Sequence, residues 1–415
     1  MNKNRTFTDP DDKLVLEISA DKLTAFLTIN DNGIISEKEI LDLITAAGIK
    51  KGFDLAAGKR QQNNQEAVFA KPFLLAQGDF PEQIEITSKI DNHAVPGDSG
   101  EIEINKLAEL ITIPSDTVLA GVSFPKFESD VEYHDIFGDI TGFDTIKKHL
   151  VSLYLGEGVD FDPASNGIIS RNSGYPWRDE TGRFHICSNL IYRGDIDNSK
   201  IFIWSDLTVI GDIENSSLEV SGNLKIQGEI RNCLKNWITA TGNIELLKAE
   251  NSRIASGKSI KVHSTARNCH LLAALDISGS REAVISGGLT QCGRSVNIGC
   301  LGGNQNEYTE VEITIKPFLK RKWHIQAESI SESKKTQKRK EVIPDHKETE
   351  ILENELLNSY EKFPVTSSTQ YFIKADQKIM KGTNLYIFNQ KHVIIQDQSS
   401  FKFNWQSNES ERNGG

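Results

Sequence analysis

The 415-residue sequence is short of several features that would narrow its role. Its five cysteines, Cys187, Cys233, Cys269, Cys292 and Cys300, are sparse and odd in number, which excludes a disulfide framework and fits a reducing compartment. Positive charge is in the minority, 47 Lys and Arg against 58 Asp and Glu, and the net charge of -11 opposes a general role on nucleic acid or an anionic membrane surface. No apolar run is long enough to span a bilayer, and the polar N-terminus, MNKNRTFTDPDDK, has no signal-peptide core. Together these shortages lead us to expect a soluble cytoplasmic protein. The chain is also too long for one ordinary core, so two or three domains are expected.

What the chain has instead is a repeat. A four-residue phrase returns as IDNS, IENS, IRNC, AENS and ARNC, with its asparagines at Asn198, Asn215, Asn232, Asn251 and Asn268, steps of 17, 17, 19 and 17 residues. Apolar residues keep step with it. Two positions before each asparagine stand Ile196, Ile213, Ile230, Ala249 and Ala266, and three after stand Ile201, Leu218, Ile254 and Leu271. Nine and eleven after come the pairs Leu207/Val209, Leu224/Ile226 and Ile260/Val262. The coil after Asn232 carries an insertion near Trp237 and resumes at Ile244/Leu246. Alternation within these runs is the strand period, so each coil holds about three short strands.

A coil this short cannot bury its own apolar face, whereas stacked coils pair strand on strand at roughly 4.8 Å and share one core. The spacing therefore predicts a right-handed parallel β-helix of about 6–7 coils, a rod of roughly 30 Å. Asparagine tolerates a left-handed corner, and its amide can bond the next coil's, so Asn198, Asn215, Asn232, Asn251 and Asn268 are expected to form a structural ladder. In the next period that corner falls at Gly287 or Gly288. Cys233 and Cys269 share a corner two coils apart, roughly 9–10 Å, too far for a disulfide.

The rest of the chain divides around the repeat. Residues 14–29 read as two strands joined at 20–22, and Ser36 with Glu39 opens a capping box for a helix with Ile40, Leu43, Ile44 and Ala47 inward and Gly48 closing it. Residues 54–71 are polar; 73–161 read as short strands broken by Gly and Pro. We therefore expect an N-terminal α+β and β module over 1–158, and a lead-in segment plus β-helix over 159–318. A charged linker with an amphipathic helix (Ile351, Leu352, Leu356, Leu357, Tyr360) follows over 319–364, then C-terminal strands packing beside the solenoid over 365–406 and a disordered tail over 407–415.

Four places in the sequence carry residue types that could do chemistry. Asp195, Asp212 and Glu229 form an acidic column one coil apart, the arrangement in which β-helix lyases and glycosidases place catalytic acids; beside an asparagine turn it reads as a solvated corner. His185 with Cys187, or Cys269 with His270, offers two zinc ligands where a structural site needs four. Gly257-Lys258-Ser259 resembles the end of a phosphate loop, but Ser252 stands where the loop needs glycine. No catalytic, cofactor-binding or metal residue is assigned and no cofactor is expected.

The phrases around the repeat extend this reading. LLAQGDFP (74–81), VLAGVSFP (118–125), HDIFGDI (134–140), GVDFDPASNGIIS (158–170), RGDIDNSKIFIWSDLTVIGDI (193–213) and ADQKIMKGTNLYIF (375–388) stand in order. In that order the chain resembles the flagellar assembly protein A family over most of its length. It departs where members carry a proline pair, here Phe80-Pro81 and Phe124-Pro125, and where they carry a long antiparallel coiled coil, here only 319–364. The resemblance implies a β-solenoid scaffold or adaptor without enzymatic activity, cytoplasmic, linked to flagellar assembly or its polar placement, with flagellar, polar or regulatory proteins as partners. Two other classes fit a β-helix: a filament joined end to end through uncapped coils, and a carbohydrate-active enzyme, which would normally be secreted.

Overall fold

A computed structural model describes residues 5–30, 36–53, 73–78, 84–90, 102–104, 111–124, 131–303, 307–314, 316–318, 370–388 and 390–405. The polar stretch 54–71, the linker and amphipathic helix of 319–364 and the tail 407–415 lie outside the described residues. The described residues fall into two compact units, one drawn from 1–93, 116–171 and 177–185, the other from 94–115, 172–176 and 186–415.

In the first unit the alternating run after Lys13 becomes strands Leu14–Ile18 and Thr24–Ile29, flanked by Arg5–Thr8 and Phe73–Gln77 in an antiparallel sheet. Helix Glu37–Ala47 covers one face, and Leu14, Leu16, Ile18, Ala25 and Leu27 pack with Ile40, Leu43 and Ile44. Its start is the expected capping box, with the Ser36 hydroxyl accepting the Glu39 N–H and the Glu39 carboxylate accepting the Ser36 N–H. Gly48 at φ 79° closes it in the left-handed region. A second antiparallel sheet runs Val159–Asp162, Gly167–Ser170, Val118–Ser123, Glu85–Ser88. Between the strands of this region lies a helix, Phe143–Ser152, where the sequence suggested only strands and loops. Its N-cap is Gly142, which has no side chain to cap with, so the usual start signal is missing. Ile146, His149, Leu150 and Val151 form its buried face.

The second unit is the solenoid. Its front face stacks Asn189–Arg193, Asp206–Ile210, and the openings of Leu224–Arg231, Ile244–Glu250 and Ile260–Ala273, then Asp276–Gly279 and Ser295–Leu301, all in parallel register. That is about seven turns. Leu190, Leu207, Leu224, Ile244, Ile260, Ile277 and Val296 form one column, no member more than 2 % exposed. The back face stacks Lys200–Ile203, Ser217–Val220, Trp237–Ala240, Arg253–Ser256, the end of Ile260–Ala273, Val284–Cys292 and Thr309–Ile313. Its inner column runs Leu218, Ile238, Ile254, Leu271, Thr290 and Val311, all buried. Leu218 pairs with Ile238, so the longer coil is absorbed before Trp237 and the columns stay in line. Asn198, Asn215, Asn232, Asn251 and Asn268 all have φ between 47° and 57°, and Gly287 and Gly288 follow at 67° and 74°, so every one of these corners is left-handed.

The C-terminal strands meet the solenoid end on, not beside it. Phe372–Ile379 pairs in parallel with Ser295–Leu301, and Asn384–Ile387 with Thr309–Ile313, making a further coil. Gln398–Asn404 then runs antiparallel along Phe372–Ile379, and Gln390–Val393 along Asn384–Ile387. The physical reason is the open edge: the last coil presents unpaired N–H and C=O groups, and pairing them satisfies more of the backbone than flank packing would. At the other end Ile102–Ile104 pairs in parallel with Asn189–Arg193. Among the described residues no helix is long and apolar enough to cross a membrane.

The corner conformation gives a test. Replacing Asn215, at φ 47°, by valine is expected to cost about 1–2 kcal/mol, whereas glycine at the same position should be nearly neutral. Urea unfolding of the three chains, compared by midpoint, checks it.

Candidate interaction surfaces of the solenoid

The acidic column is a ladder of backbone bonds. Asp195 Oδ1 accepts the N–H of Asp212 at 2.8 Å, and Asp212 Oδ1 accepts the N–H of Glu229 at 2.8 Å. Arg231 then closes the group, 3.1 Å from Asp212 and 3.3 Å from Glu229, while Lys248 reaches Glu229 at 2.8 Å. One oxygen each of Asp195 and Asp212 thus holds the next coil's backbone, and Asp212 and Glu229 also pair with cations.

The expected asparagine column supplies the turns, and its recorded amide bonds go to acids: Asn198 Nδ2 donates to Asp197 at 2.8 Å and Asn232 Nδ2 to Glu214 at 3.1 Å. Side-chain ladders occur at a different corner. Asp206 accepts from the Asn223 N–H at 2.7 Å and from its amide at 3.0 Å; Asn223 Oδ1 accepts the Asn243 N–H at 2.9 Å; Asn243 Oδ1 accepts the Ser259 N–H at 3.3 Å. Asp276 continues the column, paired with Arg294 and accepting the Ser295 hydroxyl at 2.7 Å. The sequence signal was available, an Asp, Asn or Ser just before each front-face apolar pair, but without the strict recurrence that made the other corner visible. One residue after Asn215 and Asn251, Ser216 accepts the Ser199 N–H at 3.0 Å and Ser252 the Cys233 N–H at 3.2 Å.

The zinc candidates are spent individually. The His185 ring accepts the Glu157 N–H at Nδ1, 3.1 Å, which leaves Nε2 to donate to Asp179 at 3.1 Å, and the ring stacks on Trp177. The thiol of Cys187 donates to the Asn189 carbonyl and that of Cys269 to the Arg267 carbonyl. Burial pushes the thiols of Cys269 and Cys292 up to about 12, so neither supplies a thiolate. His270 Nε2 lies 3.2 Å from Gln291 Oε1. Among the described residues no group of three or more His, Cys, Asp or Glu could hold a metal. In the phosphate-loop-like stretch, the N–H groups of Gly257, Lys258 and Ser259 all donate to protein oxygens, on Ala240, Ser256 and Asn243.

One Ser/Asp/His group exists that the sequence did not suggest. In the first unit the Ser19 hydroxyl donates to Asp21 Oδ1 at 2.6 Å, and His149 Nδ1 lies 2.8 Å from Asp21 Oδ2. The carboxylate stands in the middle, so the serine lacks a base and no nucleophile results. Burial raises the Asp21 carboxyl, but the bonds from His149, Ser19 and the Leu23 N–H outweigh it and the net shift is downward. The pair fastens helix Phe143–Ser152 to the turn between two strands; 128 residues of separation hid it. The same unit has an open cleft of about 610 Å³, with Phe124, Val151, Leu155 and Phe161 as apolar lining and Lys147, Lys148, Asp144 and Asp160 around them. Mixed charge around an apolar floor is the lining of a small-molecule or peptide pocket.

Of the solenoid's outer surfaces, the front face carries Thr208, Lys225, Glu245, Lys261 and Lys374, a mixed and solvated column. The back face begins with exposed Phe202 and Glu219.

Residues 180–367 match the family model described as Flagellar Assembly Protein A beta solenoid domain, and that stretch is such a domain. No curated protein and no solved structure matches the chain.

Two outcomes follow from the bonds described. Asp212→Ala should cost about 1–2 kcal/mol by stranding the Glu229 N–H, and Asp212→Asn, which keeps an acceptor, clearly less; chemical denaturation resolves the difference. For Asp179, desolvation raises the carboxyl, but Thr181, the Arg183 N–H and His185 outweigh it and hold it at about 2, against an ordinary 3.8. Because the folded value lies below the unfolded one, this contribution is fully present above pH 4 and is lost as the pH falls towards 2. Thermal melts of Asp179→Asn between pH 2 and pH 6 should therefore show a flatter acid limb than the parent.

Proposed function

Taking residues 180–367 as a flagellar assembly protein A β-solenoid domain, we propose that the chain is a cytoplasmic, non-enzymatic scaffold or adaptor serving flagellar assembly or its polar placement. The family match carries this reading. Two features support it: the carboxylates and thiols that might have done chemistry are engaged in holding coils together, and the solenoid offers flat, rigid faces to protein partners. The partners are flagellar, polar or regulatory proteins, and no cofactor takes part. The regions of 1–158, 159–318, 319–364 and 365–406 are its working parts. The five corner asparagines are structural, setting the cross-section of the rod.

A filament built end to end needs open strand edges. The pairing of Ile102–Ile104 with the first coil and of Gln398–Asn404 with the last speaks against that use. Deleting the gene in its own cell tests the proposal. Flagella should be lost or misplaced and be restored by the chain, and tagged chain should retain a flagellar or polar protein. Normal flagella in number and position would refute it.

A further inference from the structure

The cleft of the first unit, about 610 Å³, is built from residues that precede the stretch matched by the family model. One wall is a single side of helix Phe143–Ser152 and the turn after it. Asp144, Lys147, Lys148, Val151 and Leu155 recur at three- and four-residue steps, so the charges stand at the N-terminal end of that side and the apolar groups at its C-terminal end. The sheet supplies Phe161 from Val159–Asp162 and Phe124 from just past Val118–Ser123. Their rings meet edge to face, centroids 5.9 Å apart at 82°. Val151, 1 % exposed, is the buried member of the lining.

The charges around this floor are not equally open to a ligand. Arg171 donates to the Asp160 carboxylate, the Phe161 N–H donates to it at 2.8 Å, and the arginine bond holds the carboxyl below its ordinary range. The Lys147 ammonium lies 5.5 Å from the centre of the Phe124 ring. A cationic ligand would therefore meet an acid already paired and a ring already facing an ammonium. Asp144 offsets one of the two lysines and Asp160 offsets Arg171, which leaves the rim one positive charge in excess. In a chain of net charge -11 that is a local reversal of sign.

We propose that the cleft binds a small carboxylate with a flat aromatic body, its ring against Phe124, Phe161, Val151 and Leu155 and its carboxylate at Lys147 and Lys148. A single negative charge matches the excess on the rim, whereas a phosphate monoester carries close to two at neutral pH. A third ring extends an edge-to-face pair as an aliphatic chain cannot. The volume falls within the range of roughly 300–1,000 Å³ usual for small-molecule sites.

Titration calorimetry of the full chain with naphthoate at neutral pH tests this. Binding should be saturable with one site, and about tenfold or more tighter than for naphthalenemethanol, the uncharged match, or for naphthyl phosphate. Lys147→Gln with Lys148→Gln should weaken naphthoate about tenfold while the melting curve stays in place, and Asp144→Asn should tighten it a few-fold. Affinity that survives the double glutamine substitution puts the site elsewhere and overturns the proposal. So does equal binding of the alcohol, tighter binding of the phosphate, or no binding of naphthoate up to about 5 mM. An acidic phenylalanine peptide that binds where naphthoate does not would make the occupant a protein segment and refute the assignment. Should the double glutamine chain melt early, the ligand series on the parent protein and the Asp144→Asn comparison decide by themselves.

Discussion

Everything in the second unit depends on one constraint: a coil of about 17 residues has no hydrogen-bonding partner for its strands except the coils before and after it. Parallel pairing in register fixes the columns, as in Ile196, Ile213, Ile230 and Ala249, and the columns fix which residue turns each corner. The corner must be left-handed, so asparagine or glycine stands there in every turn from Asn198 to Gly288. Side chains beside the corners then bond the backbone one coil on, from Asp195 to Asp212 and from Asp206 to Asn223. The ends obey the same rule, since Ile102–Ile104 and Gln398–Asn404 pair the edges that a bare stack would leave open.

That constraint also decides what the molecule can do. The carboxylates of Asp195 and Asp212 each hold the next coil's backbone by one N–H, and burial raises the Cys269 thiol to about 12, so it carries little thiolate. The polar residues most suggestive of catalysis in the sequence are therefore spent on stacking. The solenoid's outer surfaces differ, with a charged front face and a back face whose middle residues Ala255, Leu272, Gln291 and Glu312 are buried.

The solenoid was legible because its period repeats the same physical demand. Apolar columns, left-handed asparagines and the insertion near Trp237 all stand in the structure where the spacing put them. The helix Glu37–Ala47 was legible from its caps, and Phe143–Ser152 was not, because Gly142 gives no cap signal. The front-corner ladder was missed since Asp206, Asn223, Asn243 and Ser259 do one job with three residue types. His149 and Asp21 meet only through tertiary folding, and no local pattern announces a contact across 128 residues. The end-on pairing of Phe372–Ile379 was likewise invisible, because a strand's sequence does not say which open edge will receive it.

Hydrogen exchange of the full chain, followed by mass spectrometry, asks most directly whether the stack is one cooperative object. Amides of the front-face strands from Asp206–Ile210 to Ser295–Leu301 should be protected together, and those of Phe372–Ile379 should open with them, since they belong to the same ladder. If Phe372–Ile379 exchanges freely while the earlier coils stay protected, the C-terminal strands are not the closing coil. If the coils exchange one by one at unrelated rates, in-register stacking is not what holds the solenoid together.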